Sequence, residues 1–507
     1  MEQFLDTWGL SLAVFLPAVG AALLLVLPRA QDDWHKLVAL ATTAAVMLVT
    51  IGLALYFNYD DADRLQYVAD KSWIPAIDTR YIVGIDGISL PLVLLTSLIT
   101  LLCVIYSWDH FPEPRNPKAL LILILVLETG MIGTFAAQDL ILFFVFFEVV
   151  LLPMYFIIGV WGGENRIYAA IKFFLFTLFG SALMIVGFLA LYFLSDPSTF
   201  DIRALPEAAS GIAHGTTLWL FAGMFVGFAI KVPMFPFHTW LPDAHTEAPT
   251  VGSVILAAIL LKLGTYAFIR IAIPILPDAA VSWAPWIGLL AVIGIVYGAL
   301  CCLAQTDMKR LIAFSSVSHM GFTMLGIATL TDFGLNAAMM GMVAHGLITG
   351  MLFFLAGSVK ERYHTMEIRR LGGLLVQAPR LGWILGFCAL ASLGLPGLAG
   401  FWGEFPAILA SYQPADGLSE VTFRVYTVVA AIGTVFAAGY LLYLFQRVAF
   451  GTPKDEFDHH PVPDVEPPEW IAWTPLLVGI VALGIYPNFV FQVTDPSVSA
   501  ITQVFGG

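Results

Sequence analysis

The stretch FFVFFEVVLLPMYF, residues 143–156, is almost unbroken hydrocarbon with one carboxylate, Glu148, at its centre. Which solvent surrounds this segment decides the fold and the purpose of Glu148. Composition supplies the answer. Of 507 residues, 59% are hydrophobic and only 12% charged, and the mean hydropathy is +0.87. A water-soluble domain cannot hide so much apolar surface, whereas a bilayer accepts it. Apolar runs of 18 or more residues recur along the whole chain, each able to cross about 30 Å of hydrocarbon as a helix. Helices are expected because every backbone polar group must be paired inside lipid.

The reading is an all-α polytopic membrane protein of about fourteen transmembrane helices in a single domain, residues 1–507. Three helices occupy 1–118; five-helix units occupy 119–273 and 283–449; a last helix lies at 470–490. Span seven, at 216–234, runs into KVPMFPFHTWLP, and span twelve, at 379–411, contains LGLPGLAGFWGEFP, so both are expected to be broken. The break is fourth in each unit. Five being odd, successive units insert with opposite orientation, which makes the pair inverted repeats of the kind that build ion pathways.

Loops after odd-numbered spans hold fourteen Lys and Arg, against six in the opposite loops. The positive-inside rule therefore places both termini on the periplasmic side of a bacterial plasma membrane, the mitochondrial inner membrane being the second choice. The net charge of −13 sits mainly in solvated loops such as NYDDADRLQ and KDEFDHHPVPDVEPPEW and argues against nucleic acid as a partner. The start, MEQFLDTW, lacks a basic n-region and a small-residue cleavage site, so no signal peptide is expected. Cys103, Cys301, Cys302 and Cys388 all fall inside spans without metal-ligand spacing and read as packing residues.

The ionisable residues left inside the spans carry the chemistry: Glu128, Glu148, Lys172, Lys231, Lys262, His319, His345 and Glu404. Each ionised group costs about 2.5–3.5 kcal/mol at mid-bilayer, so they should face the bundle interior and pair there. Lys172 is close enough to a helix end to snorkel. Glu128 can be a hydrogen-bond partner between helices, and a lone histidine can be a neutral core residue. Lys231 and Glu404 stand next to helix breaks that expose backbone at membrane depth; with Glu148 and Lys262 they read as parts of an ion pathway, and His319 and His345 as members of the same polar series. A Glu148–Lys231 contact at about 4 Å and an effective dielectric near 20 is worth roughly 4 kcal/mol, enough to load and unload a proton at Lys262 as it forms and breaks. His238, Asp243 and His245 in FHTWLPDAH look like metal ligands, but hydrogen-bonding a broken helix needs the same residues, so no metal is expected. Gln138–Asp139 reads as the cap of span five.

Three motifs carry a family likeness. FFEVVLLPMYFIIGVWGG around Glu148, KVPMFPFHTWLPDAHTEAPTVGSVILAAILLKLGTY around Lys231 and Lys262, and LIAFSSVSHMGF around His319 resemble the antiporter-like membrane subunits of respiratory complex I. The likeness covers nearly the whole chain. It resembles the subunit-four type, which carries a carboxylate on span twelve where other members have lysine; Glu148, Lys231, Lys262 and Glu404 match that pattern. The resemblance implies a proton-translocating module: protons enter from the cytoplasm at Lys231–Glu148, pass Lys262 and the histidines, and leave through Glu404, with Glu128 and His238 as minor participants. It implies no cofactor in this chain, with FMN, iron–sulfur clusters and quinone in partner subunits, and chains L and N of the complex as neighbours in the bilayer. The alternatives are a subunit of a sodium/proton antiporter or a membrane-bound hydrogenase, a haem-carrying subunit using His319 and His345, and a passive scaffold.

Overall fold

The computed structural model describes residues 2–29, 31–454, 456–457 and 462–505; the acidic loop around His459 and His460 lies partly outside the described residues. Eleven helices among the described residues are long and apolar enough to cross a bilayer. In chain order, and with the shorter helices, they are α1 (Leu5–Val26), α2 (Asp32–Leu55), α3 (Leu90–Tyr106), α4 (Pro117–Ala136), α5 (Leu140–Trp161) and α6 (Arg166–Leu194). The middle of the chain forms α7 (His214–Lys231), α8 (Trp240–Glu247), α9 (Thr250–Ile275), α10 (Pro277–Leu303), α11 (Met308–Ala328) and α12 (Asp332–Tyr363). The rest is α13 (Pro379–Ser392), α14 (Ala399–Tyr412), α15 (Glu420–Ala449), α16 (Pro467–Ile485) and α17 (Asn488–Thr502). The expected spans that fall short of a full crossing by length or hydropathy are α3 and the two interrupted ones, where α7 stops at Lys231 and span twelve divides into α13 and α14.

Side chains distribute as a bilayer dictates. Leu25, Leu55, Phe193, Val435 and Ile485 face outward, 65–76% exposed, while Glu128, Lys231, Lys262, His319 and His345 are buried. Apolar outside and charged inside is stable only when the surrounding solvent is lipid. α9, α11 and α12 are enclosed along nearly their whole length and bear Lys262, His319 and His345, whereas α2, α15 and α16 lie at the rim.

Two features were not expected from hydropathy. Between α2 and α3 the chain forms an antiparallel hairpin, β1 (Gln66–Ile74) and β2 (Thr79–Ile85), with Ala69 opposite Val83 and Lys71 opposite Tyr81. After α16, the amphipathic α17 crosses the same face: Ser497 Oγ donates to the Ala62 carbonyl at 2.6 Å, Asn336 Nδ2 to Asp495 at 2.8 Å, and Ser499 Oγ to Asp332 at 2.9 Å. Short polar-face elements escape a search for 18-residue apolar runs. Asp139 caps α5 as expected, accepting from Ile141 N at 2.9 Å and Leu142 N at 3.0 Å.

At the other face a buried ion pair fixes the start of α16. The Arg362 guanidinium meets both Glu469 oxygens, at 2.9 and 2.8 Å, and donates to the carbonyls of Pro463 at 2.7 Å and Asp464 at 3.0 Å. α16 then lies against the break in span twelve, where a Cβ on Gly484 would stand 2.2 Å from the Gly397 carbonyl oxygen. Removing one member of such a pair strands a buried charge, so Arg362→Met should destabilise the protein by about 3–5 kcal/mol. Thermal unfolding in detergent measures this; an unchanged melting temperature would contradict it.

Candidate functional site

The first element is the end of α7. Pro233 and Pro236 cannot continue the helix, which leaves the last carbonyls without helical partners. The indole of Trp240, at the start of α8, takes one of them: its Nε1 donates to the Ile230 carbonyl at 2.9 Å. FHTW thus stitches the break. It also leaves Lys231 at a buried helix terminus, its ammonium 4.7 Å above the Phe147 ring and, among the described residues, without a hydrogen-bond partner. Glu148, on α5, accepts a hydrogen bond from Ser181 of α6. Glu148 and Lys231 do not form an ion pair or a hydrogen bond. The contact foreseen between them is open.

The second element is Lys262. Turns of π-helix, Leu256–Leu260 and Phe268–Ala272, bracket it within α9. A π turn widens the helix and releases a carbonyl from its usual partner; the Lys262 Nζ donates to the Ala257 carbonyl at 2.6 Å and meets His345 Nδ1 of α12 at 2.7 Å. Among the described residues no carboxylate touches it. With the ammonium charged, Nδ1 accepts; with the proton on the ring, Nδ1 donates and the amine accepts. One proton therefore has two homes along this bond.

The third element is on α11 and α14. His319 Nδ1 lies 2.5 Å from Glu404 Oε1, and its Nε2 meets Ser392 Oγ at 3.0 Å and Tyr440 Oη at 3.1 Å. A neutral ring donates from Nδ1 and accepts the hydroxyls at Nε2; an imidazolium donates at both, and the hydroxyls turn round to accept. Both protonation states are fully bonded. The break that carries Glu404 needs glycine: Gly394 and Gly397 have φ of +77° and +93°. α14 also packs backbone to backbone on α12, since a Cβ on Gly403 would lie 2.5 Å from Gly341 Cα.

Between the second and third elements the rings of His319 and His345 are 6.2 Å apart. A cavity of about 20 Å³ separates them, lined by Thr323, Ala344, Thr349, Ser392 and Glu404 together with both rings. That is room for one water with polar partners on several sides. His345, whose Nε2 has no hydrogen-bond partner among the described residues, is part of its lining. Lys262, His345, the cavity, His319 and Glu404 thus form one polar axis across the second half of the molecule.

Two candidates stand apart from this axis. Glu128 is fully buried on α4, and among the described residues neither carboxyl oxygen has a hydrogen-bond partner, so the reading of Glu128 as an interhelical hydrogen-bond partner finds no bond here. His238 stacks on Phe235 and meets Tyr297 edge-on, with neither ring nitrogen bonded among the described residues. Of the metal-like set, Asp243 pairs with Lys172 at 2.7 Å and Arg310 at 3.4 Å, and His245 stacks flat on Phe353; Lys172 is thus paired rather than merely snorkelling. Ser181, Ser392 and Tyr440 escaped sequence reading, because a hydroxyl on an apolar span carries no signal until its partner is in place. The same holds for the buried network of Asp86, Ser89, Tyr266 and Arg270, in which Arg270 and Asp86 meet at 2.5 Å.

The comparisons with known proteins bear on the family and the fold. The family model described as NADH:quinone oxidoreductase/Mrp antiporter, TM, matches residues 137–430. This chain therefore belongs to the membrane-subunit family shared by NADH:quinone oxidoreductases and Mrp antiporters. Within it, subunit M of the NADH-quinone oxidoreductase of Rhodobacter capsulatus is 40% identical over 508 residues, 97% of this chain and 96% of the relative. Chain 4-1 of the NAD(P)H-quinone oxidoreductase of Synechocystis is 38% identical over 502 residues, 97% of this chain and 93% of the relative. A chain of respiratory complex I from Thermus thermophilus superposes with a TM-score of 0.87 at 31% identity, covering 98% of this chain and all of that one. A chain of the Mrp complex from Dietzia shares the fold, with a TM-score of 0.83 at 20% identity.

The bonds of the axis differ in what they hold. His345→Leu leaves the Lys262 ammonium with one carbonyl and should cost about 1.5–3 kcal/mol, whereas Tyr440→Phe removes one of two hydroxyls from a ring and should cost about 0.5–1.5 kcal/mol. Thermal unfolding of the two variants in detergent compares them, and the reverse order would contradict the assignment.

Proposed function

We propose that this chain is a proton-translocating membrane subunit of NADH:quinone oxidoreductase of the chain M, subunit-four type, and that its protons move along Lys262, His345, His319 and Glu404. The observation that supports this most strongly is the run of ionisable side chains joined end to end inside a bilayer-spanning bundle. A scaffold needs pairs that cancel; here an ammonium is held by a neutral ring and a carbonyl, the bonding suited to a proton that leaves.

The chemistry follows from the pairs. Closing Glu148 onto Lys231 is worth roughly 4 kcal/mol at 4 Å and an effective dielectric near 20, so opening and closing that contact shifts the proton occupancy of Lys262. The proton passes from Lys262 to His345 along their bond. It crosses the cavity on a water to His319, then moves to Glu404, while Ser392 and Tyr440 rotate to keep Nε2 bonded. Both termini lie outside, the two five-helix units are inverted repeats, and release is toward the periplasm. The energy comes from redox chemistry in partner subunits that hold FMN, iron–sulfur clusters and quinone, with chains L and N as membrane neighbours. A sodium/proton antiporter subunit is the second reading, and the greater identity to quinone oxidoreductase subunits favours the first.

Lys262→Met tests the reading in inverted vesicles, with assembly of the complex verified. NADH-driven quinone reduction and proton uptake should fall together at least tenfold, about 1.4 kcal/mol or more at the limiting step, and Lys262→Arg, which holds its proton too firmly, should not restore them. Wild-type rates in an assembled Lys262→Met complex would refute it.

A further inference from the structure

The proposed axis hands the Lys262 proton sideways to His345, so the direct way out along α9 has to be shut. Lys262, Tyr266 and Arg270 follow one another at four-residue steps on α9. The helix rises about 12 Å over that distance, toward the face that carries the hairpin and α17. There Arg270 meets Asp86, which lies in the turn between β2 and α3. α17 covers this turn: the Gly87 amide donates to Ser497 Oγ at 3.0 Å, and a Cβ on Gly87 would stand 1.9 Å from the Val493 carbonyl oxygen. Asp86, Ser89 and Tyr266 are all buried.

The guanidinium stands between the phenol and the carboxylate. Its Nε donates to Tyr266 Oη at 3.1 Å, and its Nη2 to Asp86 Oδ1 at 2.5 Å and to Ser89 Oγ at 3.3 Å. The Tyr266 hydroxyl gives its one proton to the Phe135 carbonyl at 2.8 Å. Asp86 Oδ1 also accepts from the amides of Ile88 and Ser89, each at 3.2 Å. Ser89 Oγ, 3.1 Å from both Asp86 Oδ1 and Tyr266 Oη, gives its proton to one of them.

A proton hops along a file of hydrogen bonds only where each member accepts and donates in turn. Arginine has five donors and no acceptor and stays protonated, and a backbone carbonyl only accepts. This network therefore has a permanent donor at its centre and a permanent acceptor beyond Tyr266, and no exchange of roles along it is open. A fixed arginine charge in a narrow path is in addition a barrier to protons. The surroundings of His319 are the opposite case, because the hydroxyls of Ser392 and Tyr440 can turn round.

We propose that Arg270, Asp86 and Tyr266 form a proton seal at the end of α9, confining the Lys262 proton to the route through His345 and barring protons of the release side from returning to it. The inference rests on the proposed role of Lys262 and adds the insulation that this role requires. Arg270 is a positioning residue, and no proton passes through it.

The test uses the assembled complex in liposomes. An acid step is imposed on the release side, the voltage is clamped with potassium and valinomycin, and proton flux is read with a pH dye. Asp86→Asn combined with Arg270→Gln removes both charges and makes room for water, which both accepts and donates. This variant should leak protons on the order of tenfold faster than wild type. NADH should still reduce quinone, with fewer protons moved per NADH. Adding Lys262→Met should return the leak to the wild-type level, whereas loosened helix packing alone would leak with or without Lys262. Wild-type tightness in the assembled pair variant overturns the proposal, as does a leak that Lys262→Met leaves open. Tyr266→Phe, which deletes a single oxygen, decides the matter if the pair variant does not assemble: it should leak too, and a tight complex overturns the proposal. Should Lys262→Met by itself pump normally, the axis fails; should it stop pumping while the seal variants stay tight, the axis stands and the seal falls.

Discussion

A lysine ammonium sealed inside a lipid-spanning bundle, with no carboxylate in contact among the described residues, is the interaction on which the other features depend. An ion at mid-bilayer costs a few kcal/mol even when it finds partners, and Lys262 has a histidine and one backbone carbonyl. Had Glu148 or Glu404 reached it, the result would have been a buried ion pair, strongly held and of no use for moving a proton. Glu404 instead binds His319, and Glu148 binds Ser181. The carboxylate in FFVFFEVVLLPMYF is thus held by a serine hydroxyl and makes no ion pair with Lys231.

The fold supplies the polar groups that this arrangement needs by spoiling its own helices. Proline ends α7 at Lys231, glycines with positive φ open the chain before Glu404, and π turns flank Lys262. Each defect frees backbone carbonyls or amides at membrane depth, where unbonded polar groups are not tolerated. Trp240 Nε1 takes the Ile230 carbonyl and Lys262 takes that of Ala257, while Trp402 Nε1, just after the glycine break, ties α14 to the last turn of α16 through the Gly484 carbonyl at 2.8 Å. The helix α16, anchored by Arg362–Glu469, braces the second break from outside, so the geometry around Glu404 is supported from the rim of the bundle.

Much of this was legible in the residues. An apolar chain with charges in the wrong places specifies a membrane bundle and singles out Glu148, Lys231, Lys262 and Glu404, and proline or glycine beside two of them marks the breaks. The pairing was not legible. Lys262–His345 and His319–Glu404 join residues 83 and 85 positions apart, and spacing within a helix says nothing about which helix faces which. The π turns were equally hidden, because Leu256–Leu260 reads as ordinary helix and its irregularity comes from packing. The hairpin Gln66–Ile85 and the amphipathic α17 lack the long apolar run that announces a span.

The account stands on a single bridge, the cavity between His345 and His319, where no side chain carries the proton across. Ala344→Val fills that space with two methyl groups while leaving every titratable residue in place, and a β-branched residue is tolerated in a packed helix. The measurement is proton uptake and quinone reduction by the assembled Ala344→Val complex in inverted vesicles. The account predicts that both fall together at least tenfold, because the water between the rings has no room. Uptake at the wild-type rate with the cavity demonstrably filled would show that protons do not pass there, and the axis from Lys262 to Glu404 would lose its function.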